Sequence, residues 1–158
     1  MIRAAKDDIP HLLEQTAMGN ANEEKLTLLR EYTAFRLFAF YNGSLSSLGT
    51  DQDTWKRLLP TIGEPIAKAF VARGLFATED EFGEFTDQRG KEYFPLWKAS
   101  KADNPPDNPV LKLARAFTKH VQTDDLAAVA FWGTTWVNWT ISDKKFVDKQ
   151  SQEFRIVE

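Results

Sequence analysis

The sequence predicts an all-α fold: a compact, single-domain helical bundle of about six or seven helices over residues 1–158, with a loop at 101–108. Three observations predict it. Helix-starting caps recur along the chain, apolar residues between them recur at three- and four-residue spacing, and glycine or proline closes each run. The chain length suits one domain, and 42% apolar and 27% charged residues are ordinary globular values. Twelve Phe, five Trp and three Tyr predict an aromatic-heavy core.

Met1–Ala17 reads as a helix with weak punctuation. Asn22 then caps a segment whose Glu23 and Glu24 favour the positive first turn, and the apolar pattern runs to Tyr41, where Asn42-Gly43 supplies a left-handed exit. Asp51–Leu59 is a short helix ended by Pro60. Thr61-Ile62-Gly63-Glu64 is a capping box, and the helix that follows ends at Gly74. A second box, Thr78-Glu79-Asp80-Glu81, opens a helix carrying Phe82, Phe85, Tyr93, Leu96 and Trp97, with a kink or break expected near Tyr93 from Gly90 and Pro95.

Lys101–Asn108 is the clearest loop. Asn108 caps the next helix and Pro109 occupies its first turn, ahead of the stripe Val110, Leu113, Ala114, Phe117 and Val121. Thr123-Asp124-Asp125 starts the last strong segment, running to about Ile141. Its alanine-rich front favours helix and helix is the reading for the whole segment; the alternative makes Thr134–Ile141 a strand that would pair with Phe154–Val157 in one short C-terminal β-hairpin. Phe146–Glu158 is polar enough for a short helix or a docked tail.

Composition restricts function as well. The absence of Cys removes disulfides, thiol nucleophiles and thiolate metal sites. Net charge of −3 gives no nucleic-acid or membrane signal. Met1–Pro10 lacks the apolar core of a signal peptide, and the charge-free stretch Leu126–Ser142 is too short and too polar for a span, so a cytoplasmic location is expected. No phosphate-binding glycine loop occurs, and no catalytic residues, metal site or cofactor are assigned. His11 with Glu14 lacks further ligands, and His120 with Asp124 and Asp125 lacks a nucleophile or electrophile beside it.

Three groupings stand out. Arg36 lies between Leu29, Tyr32 and Phe40, and Arg89 among Phe82, Phe85, Tyr93 and Leu96. Each either snorkels to the surface or pairs with a structural acid such as Glu31, Glu92 or Asp87; the alternative is that both guanidinium groups converge on one anionic ligand or partner carboxylate. Trp132, Trp136 and Trp139 form one stripe on a helix running through the middle of the domain, read as core or else as the wall of a ligand pocket or a hot-spot patch for a protein partner. Trp136 is expected to be buried and Trp132 or Trp139 to reach the surface. Glu79, Asp80, Glu81, Glu84 and Asp87 form an acidic patch that serves the helix start and leaves acids over for a basic partner surface. The expected function is a non-enzymatic protein-binding module, a small regulator, inhibitor or immunity-type protein acting by contact. The alternative is a helical ligand-binding domain whose aromatic pocket holds a small anion through Arg36 and Arg89. An enzyme with an unfamiliar site is the third class.

Overall fold

A computed structural model describes residues 23–48, 63–99, 108–121 and 125–153. They form five helices and, among the described residues, no strand: α1 (Glu23–Leu48), α2 (residues 63–71), α3 (Glu79–Ala99), α4 (Pro109–His120) and α5 (Leu126–Glu153). The helices expected over 1–17 and 51–59, the box at Thr61–Glu64, and the strand expected over 154–157 lie wholly or partly outside the described residues. Thr134–Ile141 is helical, as the preferred reading of that segment has it, so the alternative hairpin strand does not form there.

Local chemistry sets most of the helix ends. The Thr78 hydroxyl accepts from the Glu81 N–H at 3.0 Å, while the Glu81 carboxylate accepts from the Ala77 N–H at 2.6 Å, one residue earlier than a regular box would place it. Asn108 accepts from the Val110 N–H at 3.0 Å ahead of Pro109, and Asp125 from the Ala127 N–H at 3.0 Å. After α2, the Gly74 N–H reaches the Val71 carbonyl and the Leu75 N–H the Phe70 carbonyl, the double bond of a Schellman turn. Gly74 sits at φ +73°, which a Cβ disfavours, and Phe70 and Leu75 pack together in the core beneath.

Two helix ends differ from expectation for tertiary reasons. Asn42-Gly43 does not end α1, which continues to Leu48. The Asn42 amide donates to the Phe38 carbonyl at 2.7 Å, and Gly43 faces α5 so closely that a Cβ would lie 2.6 Å from the Thr140 carbonyl oxygen. Glycine here serves close helix packing, not a turn. At the other end of the chain, α5 does not stop near Ile141. It carries on because Asp143 points inward to a partner on α1, which gives the polar continuation its own anchor. α3 likewise runs unbroken through Gly90 and Pro95.

The tryptophan-bearing helix was the one expected to be central, but α1 holds that place. It packs against α3, α4 and, over most of its length, α5. Its Leu29, Tyr32, Ala34, Phe35, Phe38, Ala39 and Phe40 are all buried, whereas α5 keeps an exposed side. Two apolar clusters result. One joins the start of α1 to α2, the Leu75–Phe76 turn and Phe82. The other gathers Phe35, Phe38, Tyr93, Leu113, Phe117 and Trp136, where Phe35 stacks on Phe117 at 4.4 Å.

Candidate functional site

The two arginines are held by carboxylates of the chain itself. Arg89 on α3 grips Glu31 of α1 through two nitrogens, Nε at 2.7 Å and Nη2, and lies over the Phe85 ring. Arg36 on α1 grips Asp143 of α5 in the same two-pronged way, one contact at 2.9 Å, and lies over Trp139. Glu31 and Asp143 are buried, so each pair stitches α1 to a neighbour through charge-assisted bonds that compensate the loss of water. The hydrogen bond to Glu31 raises the Arg89 pKa despite the opposing effect of burial. Glu31 is among the acids the sequence names; Asp143, 107 residues from Arg36, is not. The guanidinium groups do not converge, and an anionic ligand would have to displace a resident carboxylate from either.

The tryptophans divide as their spacing suggests. Trp136 is buried against Trp97 and Phe38, while Trp132 and Trp139 are half-buried, both edge-on to Tyr32. All three belong to the wall of the second core cluster. His120 bonds Glu92 of α3 at 2.7 Å, Asp125 caps α5, and Asp124 lies outside the described residues. His11 and Glu14 fall outside the described residues. Among the described residues no group of three or more His, Asp or Glu is arranged to hold a metal, and no helix is long and apolar enough to cross a membrane.

What the helices do leave open is a groove of about 510 Å³ between α1 and α3. Phe38, Tyr41, Asn42 and Leu45 form one wall at three- and four-residue steps, and Asp87, Gly90, Lys91, Phe94 and Pro95 form the other. The lining is mostly carbon, and its polar atoms are largely committed. The Asn42 amide is tied to its own helix, Lys91 pairs with Asp87 at 2.6 Å, and burial raises the Tyr41 hydroxyl above the ordinary tyrosine pKa. Phe94 stands at the mouth, 52% exposed. Gly90 has no atom within 4 Å of the place a Cβ would take, so the groove is open where a side chain would otherwise fill it. Pro95 has no N–H, which deprives the Lys91 carbonyl of its regular helical donor beside the groove.

The acidic patch adjoins this opening. Glu81 is taken up by Arg30 at 3.1 Å and by the cap. Glu79, Asp80, Glu84 and Asp87 remain exposed. By helical spacing Asp80, Glu84, Asp87, Lys91 and Phe94 share one stripe of α3, so the acids lead along the helix toward the groove. Composition signalled the acids and the aromatics separately. The groove itself needed Tyr41 and Leu45, about a third of the chain away from Phe94, to be brought opposite it. No protein-family model, characterised protein or solved structure matches this chain.

Proposed function

We propose that this chain is a cytosolic protein-binding module of six or seven helices, a small regulator, inhibitor or immunity-type protein that acts by contact. Its partner inserts an apolar anchor into the α1–α3 groove, with basic residues beside that anchor running along Glu84 and Asp80. The observation that carries this reading is the open, carbon-lined groove with Phe94 at its mouth and an exposed acidic stripe leading into it. Aromatic side chains at the rim of a concave apolar site are typical binding hot spots, and flanking charge steers a partner of opposite sign.

Gly90 provides a test that separates binding from folding. Gly90→Leu fills the groove and replaces a mid-helix glycine with a better helix former, so melting temperature stays level or rises. A partner captured from the native host by the wild-type protein should be lost by Gly90→Leu and kept by Gly83→Ala, whose position is open but off the groove. Phe94→Ala should weaken that same partner by roughly 30-fold, a hot-spot loss. Equal capture by the wild type and Gly90→Leu would overturn the assignment.

A further inference from the structure

The outer side of α5 carries a second surface, independent of the groove. From Leu126 to Ser142 the helix contains no charged residue, and its exposed positions there are Leu126, Ala127, Ala130, Phe131, Thr134, Asn138, Ile141 and Ser142. Leu126 is 70%, Phe131 61% and Ile141 48% exposed. Seventeen residues at the helical rise span about 25 Å, a long uncharged strip for a surface helix.

The strip is ordered as well as apolar. Ala127, Phe131, Thr134, Asn138, Ile141 and Lys145 are all exposed and follow one another in steps of four and three. That alternation is the heptad spacing of a coiled-coil seam, with one asparagine inside it. Most helices of a globular protein turn such a seam toward the core. In α5 the core-facing residues are instead Val129, Gly133, Trp136 and Asp143, and the seam lies opposite them.

We propose that a second copy of this chain covers the seam, in an antiparallel pairing of α5 with its symmetry mate about a two-fold axis that crosses the seam midway between Thr134 and Asn138. The seam is self-complementary in that register. Phe131 meets the partner copy's seam at position 141, an apolar layer made twice by symmetry. Thr134 meets position 138, which gives the Asn138 amide a hydroxyl to bond across the axis. Ala127, the smallest seam residue, meets position 145 and leaves room for the long Lys145 side chain. Charge selects the same direction: parallel pairing sets Lys145 against itself, whereas antiparallel pairing brings it to Ala127 at the start of the partner copy's helix, the end that carries the exposed Asp125. An isologous contact of this kind closes on itself and stops at two chains. A six-position seam falls in the small class of interfaces, so the dimer is concentration-dependent.

The test reads both association and register. Sedimentation of the wild-type chain should show a monomer–dimer equilibrium within the micromolar-to-millimolar range, and Phe131→Glu and Ile141→Lys should each be monomeric with unchanged melting curves, since both positions face solvent. Mixing those two variants should restore a dimer, because antiparallel pairing places the new glutamate against the new lysine. The natural absence of Cys allows a second readout. Phe131→Cys mixed with Ile141→Cys should oxidise to a crosslinked heterodimer in preference to either homodimer. A wild-type chain that stays monomeric to millimolar concentration overturns the proposal. So does a dimer indifferent to both single variants, or a crosslink that prefers Phe131→Cys with itself.

Discussion

Single side chains account for the charges that the core tolerates. Glu31 is the most enclosed member of its pair, its side chain 3% exposed, while Arg89 is 13% exposed and has Glu92 within 3.8 Å as a second acid. Removal of one partner is therefore asymmetric. Arg89→Leu strands a buried carboxylate and should cost about 3–5 kcal/mol, whereas Glu31→Leu leaves a guanidinium that turns toward Glu92 and water and should cost less. The double variant Arg89→Leu/Glu31→Leu should regain most of the loss, since an apolar pair of that volume suits the surrounding Phe85 and Tyr93. Urea titration of the three proteins measures this. If Glu31→Leu is as damaging as Arg89→Leu, desolvation of the acid is not what sets the cost. The same argument explains why the arginines look like ligand sites in the sequence. An arginine on an apolar stripe shows that an anion must be near, but not whether it belongs to the chain.

Helices show where the sequence is legible and where it is not. Caps at Thr78, Asn108 and Asp125, and the left-handed Gly74, depend on atoms within a few residues, and local reading finds them. Gly43 looks like one more exit, yet its reason for being glycine is Thr140, 97 positions away, and nothing within α1 signals it. The length of α5 is obscured in the same way, because Asp143 is an interior residue only once Arg36 faces it. The groove was masked by Gly90 and Pro95, residues that read as a helix break and instead keep a continuous helix bare on one side. Two glycine substitutions test this distinction. Gly43→Ala drives a methyl group into the α5 backbone and should destabilise the fold by about 1–3 kcal/mol through overpacking. Gly83→Ala, with nothing within 4 Å of the new methyl, should stabilise it by about 0.5–1 kcal/mol through helix propensity. Thermal melts that move in the same direction for both would show that Gly43 is not a close-approach residue.

The molecule as a whole closes around Tyr93, fully buried where α1, α3 and α4 meet, with Phe35 and Phe38 against its ring. Its hydroxyl has no hydrogen-bond partner among the described residues. Burial first, and then the negative charges of Glu31 on α1 and Glu92 on α3, push its pKa far above the ordinary tyrosine value of 10.0, and the nearby Arg89 only partly opposes them. Tyr41 is raised by burial as well. For an acid whose folded pKa is raised, the stabilising contribution is complete below the unfolded pKa and is lost as pH climbs from there toward the folded pKa, because only the unfolded chain then releases the proton. The fold should therefore weaken above pH ~10, by about 1.4 kcal/mol per pH unit for each tyrosine held protonated. Tyr93→Phe isolates the larger share. Near neutral pH it should be level with the wild type or slightly more stable, since it removes an unpaired buried hydroxyl and little else. At about pH 11 it should lead the wild type by roughly 1.4 kcal/mol more than it does at neutrality, the increment of one tyrosine over one pH unit. Lysine titration and other alkaline effects act on both proteins and cancel in that difference. Urea unfolding of the two chains at both pH values provides the measurement. An advantage that does not grow with pH would mean that Tyr93 ionises in the folded chain as readily as in the unfolded one, and that water reaches the place where the three helices meet.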